Sequence, residues 1–299
     1  MTIDVGKFRK AKMMKQLAFR QVDVFTAIPF RGNPVAVVFD GDSLAAQQMQ
    51  AIANWTNLSE TTFVCAPRDS SADYRLRIFT PKRELAFAGH PTIGSAHAVL
   101  EHGIRPKTAG RLLQECDAGL VALAIENGRL FLTLPRPSMQ EIDTEQTAAL
   151  AAALGIGARQ VREKAIVDVG VSWVTLQLAD ADLVRGLRPD LARIAALTPG
   201  DAAGVTVFGL VPPCGQSQVE VRSFAPRDGI PEDPVCGSGN GCVAALVRRA
   251  KLPGAGGYVA SQGGCVGRDG RVEVRYGDDG TIQLGGHAVT CVEGRLTAP

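Results

Sequence analysis

The chain has little aromatic surface: Phe, Tyr and Trp together make up 5% of its 299 residues. Proteins that stack nucleobases need more, so nucleic acid is not indicated as a partner. An excess of charge of one sign is also missing. The 32 basic and 30 acidic residues leave a formal charge of +2, and no basic face stands out. No apolar run approaches the roughly 20 residues that a membrane-spanning helix needs. The first residues, MTIDVGKFRKAKMMKQ, are basic but lack the apolar stretch of a secretory leader. Seven cysteines, an odd number, form no Cys-x-x-Cys pair; they fit a reducing compartment rather than a disulfide framework. His90, His97 and His102 do not share metal-ligand spacing. These absences describe a cytoplasmic globular protein with no metal, membrane or nucleic acid in its chemistry.

What is present is a phrase written twice. Residues 90–98 read His-Pro-Thr-Ile-Gly-Ser-Ala-His-Ala, and residues 233–241 read Asp-Pro-Val-Cys-Gly-Ser-Gly-Asn-Gly, an offset of 143 residues (233 − 90). Upstream, Arg77-Ile78-Phe79-Thr80-Pro81 matches Arg222-Ser223-Phe224-Ala225-Pro226 at an offset of 145 (222 − 77). Repetition at nearly half the chain length predicts two similar lobes with a site in the cleft between them. The copies differ in their reactive groups: His90 aligns with Asp233, and Ile93 with Cys236.

Strand patterns at Val22–Thr26, 35–39, 61–65 and 74–79 surround a helix through Leu44, Met49 and Ile52. A second helix is expected to open near Gly94-Ser95, and its repeat near Gly239. Asn127-Gly128 marks a hairpin between 120–125 and 130–134. Beyond the linker Pro135-Arg136-Pro137, residues 167–178 read as strand and 183–197 as helix. Strands dominate, so the expected class is α+β with mainly antiparallel sheet. Residues 1–16 read as an extension. The first lobe is expected over 17–136, with a C-terminal strand at 288–299 able to return to it, and the second lobe over 137–287.

Each Gly-Ser phrase at a helix start offers unpaired backbone N–H groups and a partial positive charge. Two such ends at one cleft would hold a small carboxylate and steady an enolate-like anion. Gly89, Gly94, Ser95, Gly237 and Ser238 are the binding candidates, although Ser238 is equally suited to capping its helix. Glu60, in Asn57-Leu58-Ser59-Glu60-Thr61, is a candidate general base if the cleft is dry, and otherwise an ordinary solvated glutamate. His90 is suited to moving protons or, if charged, binding a carboxylate; a backbone-bonded turn histidine is the plain alternative. Asp233 either orients the substrate or shapes a turn before Pro234. Cys236, at a helix start, is either a reactive thiol or a small buried apolar residue. Gly237-Ser-Gly-Asn-Gly241 is not fed by a buried parallel strand, so a dinucleotide is not expected.

Together, Asp23–Thr26, Pro29-Phe30-Arg31-Gly32-Asn33-Pro34, Asn57–Thr61, Gly89-His90-Pro91-Thr92-Ile93-Gly94 and Asp233-Pro234-Val235-Cys236-Gly237-Ser238 resemble the phenazine-biosynthesis PhzF-like isomerases. The resemblance runs from about Leu17 to the C-terminus. That family sits in the diaminopimelate-epimerase-like superfamily. The resemblance implies two pseudo-symmetric lobes, each a sheet curled around a central helix, in a homodimer without metal or organic cofactor. It implies a biosynthetic role on a dihydrohydroxyanthranilate-like acid. Glu60 matches the general base, with Ser59 beside it; His90, Asp233 and Ser238 match residues that hold substrate and assist proton movement. Gly89 and Gly237 match backbone contacts. Cys236 departs from the threonine usual in the phenazine enzymes and matches a catalytic cysteine of the epimerases and proline racemases. Two other readings therefore stay open: a two-base amino-acid or hydroxyproline epimerase using Glu60 and Cys236, and a small-acid binding protein without turnover.

Overall fold

The computed structural model describes residues 14–212, 215–254 and 256–298. Most of the expected extension, residues 1–13, lies outside the described residues. Its last two residues do not belong to an extension, because Lys15 and Gln16 already pair as sheet.

The first run of strands is β1 (Lys15–Val24), β2 (Asn33–Val38), β3 (Thr61–Cys65), β4 (Tyr74–Phe79), β5 (Glu84–Leu85), β6 (Arg111–Cys116), β7 (Gly119–Glu126) and β8 (Arg129–Thr133). The second run is β9 (Ser138–Gln140), β10 (Val161–Asp168), β11 (Ser172–Leu178), β12 (Gly204–Leu210), β13 (Val219–Ala225), β14 (Ile230–Asp233), β15 (Tyr258–Gln262), β16 (Gly270–Tyr276), β17 (Ile282–Gly286) and β18 (Ala288–Ala298). Helices α1 (Ala46–Thr56) and α2 (Gly89–Glu101) fall in the first half. Helices α3 (Thr144–Ala153), α4 (Ala181–Gly186), α5 (Leu191–Leu197) and α6 (Gly237–Arg249) fall in the second.

The pairing scheme repeats. β1–β2 is antiparallel, β2–β3 parallel, β3–β4 antiparallel and β4–β6 parallel, and β6–β7–β8 is an antiparallel meander. The same alternation runs through β10–β11, β11–β12, β12–β13, β13–β15 and the meander β15–β16–β17. The fold is therefore α+β with two pseudo-symmetric lobes. β8 pairs with β17 and joins them. β9 pairs with β10, whereas β18 returns to β1, with Lys15 opposite Ala298.

Each sheet curls around one helix. α2 packs on β1–β4, β8 and β18, and α6 on β10–β12, β16 and β17. Both are buried along most of their length, as a helix enclosed by sheet must be. Their apolar side chains join one core cluster that runs through both lobes.

Four expectations change. Residues 167–178 belong to two strands, β10 and β11, parted at Gly170, where φ is +96° and the Asp168 carboxylate accepts the Gly170 N–H at 2.8 Å. Residues 183–197 divide into α4 and α5 around Pro189, whose ring disfavours helix in the residue before it. Helix α2 begins at Gly89 rather than Gly94, because Pro91 falls in the first turn, where its missing N–H costs nothing. Likewise α6 begins at Gly237 rather than Gly239. The two 13-residue helices are thus offset by 148 (237 − 89), so the structural mate of Cys236 is Ala88. The gapless match at 143 aligns similar residues that occupy different turns.

Candidate active site

Glu60 sits where α1 hands over to β3. Asn57 ends α1 in the left-handed region at φ +54°, a conformation asparagine tolerates. The Glu60 carbonyl accepts the Ala36 N–H at 3.4 Å and ties the loop to β2. The Glu60 carboxylate turns inward, its side chain 13% exposed, with Oε2 3.2 Å from His90 Nε2. The His90 side chain is 6% exposed. The two atoms are close but not aligned as a hydrogen bond, and neither has another partner among the described residues. Buried polar atoms are almost always satisfied, so this facing pair keeps bonding capacity that the surrounding side chains do not use.

Burial lifts the Glu60 pKa to about 8, helped by the negative charge of Asp233 and opposed by a hydrogen bond with Ser59. Burial alone drives His90 down to about 3. Burial therefore favours the neutral imidazole near pH 7 over the charged form that would bind a carboxylate. Asp233 is raised to about 6 by burial, against hydrogen bonds from Cys236 and the Val235 amide. The influence of Asp233 on Glu60 shows that residues from both lobes share one electrostatic environment.

The helix ends meet. A Cβ at Gly237 would lie 3.3 Å from the His90 backbone nitrogen and 3.8 Å from the Gly89 carbonyl carbon, so the tip of α6 lies against that of α2 with little room for a side chain between them. A Cβ at Gly89 would meet nothing within 4 Å. No side chain caps α2. Cys236 caps α6, its Sγ accepting the Gly239 N–H at 3.2 Å, with the Ser238 hydroxyl 3.6 Å away. Burial and Asp233 hold its thiol pKa well above the usual range. Gly94 and Ser95 do not join this group. A Cβ at Gly94 would run into Val35 and Val24 of the sheet, and the Ser95 hydroxyl shares a hydrogen bond with Thr62 at 2.8 Å.

Further residues support the site without having been expected to. Asn33, fully buried in β2, donates from Nδ2 to Asp233 Oδ1 and to the Val235 carbonyl, both at 2.9 Å. It lay inside the Pro29–Pro34 phrase, but nothing local shows a partner 200 residues away. Gln262 accepts the Cys236 N–H at 3.1 Å and donates to the Asp233 carbonyl at 2.9 Å. Arg222 grips Glu232, the neighbour of Asp233, through two bonds of 2.9 and 2.7 Å. Arg77 and Glu84 repeat that grip in the first lobe at 2.6 and 2.7 Å; the matching upstream phrases were its signal. Trp173 donates its indole N–H to Ser238 Oγ at 2.9 Å. Among the described residues no group of three or more His, Cys, Asp or Glu side chains could hold a metal ion.

Two pseudo-symmetric lobes, each a sheet curled around one central helix, make this a diaminopimelate-epimerase-like fold. A hydroxyproline epimerase of Agrobacterium vitis shares this fold, with a TM-score of 0.60 at 15% identity, over 96% of this chain and 93% of that one. A PhzF-family protein of Bacillus anthracis is more similar, with a TM-score of 0.83 at 24% identity, covering 95% and 99%.

The chain belongs to the phenazine biosynthesis-like (PhzC-PhzF) family, whose model matches residues 22–294, and it is an enzyme of the isomerase class. It is 42% identical to antisense-enhancing sequence 1 of Schizosaccharomyces pombe, covering 94% of this chain and 99% of that protein. It is 34% identical to an uncharacterized isomerase of Deinococcus radiodurans, covering 96% of each.

Proposed function

We propose that the protein is a cofactor-independent isomerase of a small carboxylate-bearing acid of the dihydrohydroxyanthranilate type, with Glu60 as its base. The ionised Glu60 takes a proton from a carbon next to an electron-withdrawing group. The electron pair of that C–H bond moves into the adjoining π system, and the backbone N–H groups at the tips of α2 and α6 face the resulting anion. Glu60, now a carboxylic acid, returns the proton to another carbon. The double bond shifts and nothing is oxidised. His90, neutral, accepts or passes a proton beside Glu60, while Asp233 and Ser238 hold the substrate's polar groups. The observation that carries this reading is the position of Glu60, a buried carboxyl 3.2 Å from His90; burial that raises its pKa to about 8 suits it to give and take protons near neutrality. A cytoplasmic homodimer completes the proposal, supported by the odd, scattered set of seven cysteines and by the assembly the family resemblance implies.

Incubation of candidate acids in D2O tests it. Deuterium is expected at a ring or α-carbon, and Glu60→Gln should abolish the exchange. Exchange that survives Glu60→Gln would show the base to be elsewhere; no exchange with any acid that binds would favour a binding protein. The position of Cys236 supports a second reading, a two-base epimerase in which the thiol, kept protonated by burial, supplies the proton on the opposite face. Such a pairing is not a symmetric one, because the mate of Cys236 is Ala88. Full activity in Cys236→Ser would exclude it.

A further inference from the structure

We propose that Trp173 is a positioning residue of the site, whose indole N–H holds the Ser238 hydroxyl as a hydrogen-bond donor toward an anionic oxygen of the substrate. The inference rests on the reading that the substrate carries a carboxylate. An indole N–H can only donate, whereas a serine hydroxyl has one proton and two acceptor positions. Trp173 Nε1 lies 2.9 Å from Ser238 Oγ, so one acceptor position is occupied and the serine proton must point away from the ring. The neighbour in reach is Cys236 Sγ at 3.6 Å, a weak acceptor that already receives the Gly239 N–H at 3.2 Å. The Ser238 proton therefore rests on a poor partner. A carboxylate oxygen arriving at the tip of α6 offers a charge-assisted bond in its place, in a field that favours anions.

The fold makes room for this arrangement. Trp173 is 3% exposed and stands opposite Gly204 in the β11–β12 register. A Cβ at Gly204 would run first into the Phe224 carbonyl and would also lie 2.9 Å from a carbon of the indole ring, so the glycine that the close approach of β12 to β13 requires also leaves the ring its place. The first lobe has no counterpart, since Ala88 and His90 stand where Cys236 and Ser238 stand in the second. The site is thus built to tell its two halves apart: a carboxyl–imidazole pair for protons on one side, and a fixed donor for the substrate anion on the other.

Calorimetric titration of the full chain with benzoate and cyclohex-1-enecarboxylate, and with their neutral amides, tests the proposal. Trp173→Phe keeps the ring and removes the N–H. It should weaken both acids by about tenfold, the scale of one hydrogen bond to a charged group, and leave the amides unchanged. In a Ser238→Ala background it should cost nothing further. Loss of acids and amides alike, or wild-type acid binding by Trp173→Phe while Ser238→Ala binds weakly, would overturn the positioning role alone. Acid binding unaffected by Ser238→Ala, or no saturable binding of either acid, would overturn the carboxylate reading and the relay with it. A measurement independent of the folding of Trp173→Phe is the indole N–H resonance of Trp173, assigned by comparison with Trp55→Phe. It should be protected from solvent exchange in the free protein and lose that protection in Ser238→Ala; unchanged protection would refute the hydrogen bond.

Discussion

Replacing Glu60 with glutamine should stabilise the protein, and the gain should grow with pH. The carboxyl has a pKa of about 8 in the folded chain against 4.5 when exposed. A raised pKa means that the folded state keeps a proton which the unfolded state has released. The stability Glu60 contributes is then complete below pH 4.5, declines as pH rises, and is fully lost once pH passes 8. Each pH unit within that window is worth about 1.4 kcal/mol, so the interval from pH 5 to pH 7.5 amounts to about 3 kcal/mol. Glutamine has nearly the same shape and does not titrate. Its effect on the contact with His90 is a constant offset, because the imidazole, held down to about 3, stays neutral throughout. Asp233 contributes its own slope in both proteins, which largely cancels in the difference. Urea unfolding of both proteins at pH 5, 6, 7 and 8 measures it. A difference that is flat with pH, or that shrinks as pH rises, would falsify the buried, proton-retaining Glu60 and with it the proposed base.

The remaining predictions concern the same groups. The solvent-exchange kcat/KM should rise by about tenfold per pH unit up to about pH 8 and then level off, because Glu60 must lose its proton to act; a plateau already reached at pH 6 would assign the base elsewhere. Gly237→Ala pushes a methyl group toward the His90 backbone at 3.3 Å and should cost about 1–3 kcal/mol together with most activity, whereas Gly89→Ala, facing open space, should leave Tm unchanged and impair turnover. Equal losses of Tm in the two variants would contradict the abutting helix tips. Asn33→Ala leaves the Val235 carbonyl and Asp233 Oδ1 short of a donor and should cost about 1–3 kcal/mol. Asn33→Asp should be worse above pH 6 than below it, since a second carboxylate then faces an ionised Asp233; denaturation midpoints that do not depend on pH would count against the contact.

Much of this was legible in the residues. The doubled phrase announced two lobes, and the Asn127-Gly128 turn fell where its positive φ values, +50° and +75°, place it. Glu60 was singled out from its motif, but its environment was not, because desolvation depends on what another lobe lays over it. The start of α2 differs from expectation for a definite reason: Pro91 reads as a stop, yet in the first turn it is tolerated. The start of β1 carries no local sign because residues 15–18 pair only with β18, at the far end of the chain. Asn33, Trp173 and Gln262 carry no local sign of their roles. Each acts on a partner 26 to 200 residues away, a separation at which neither periodicity nor capping rules apply.

The return of β18 to β1 has a consequence for dissecting the enzyme. The first curled sheet is assembled from two stretches of chain far apart in sequence, whereas the second is continuous. An isolated fragment ending at the Pro135-Arg136-Pro137 bend would leave the long flank of β1 bare, an open template for aggregation. Because Lys15 and Ala298 are neighbours across that seam, fusing the polypeptide there and reopening it at Arg136 would yield a circular permutant whose halves are each unbroken, and which could be expressed separately to ask whether one helix tip alone retains ligand.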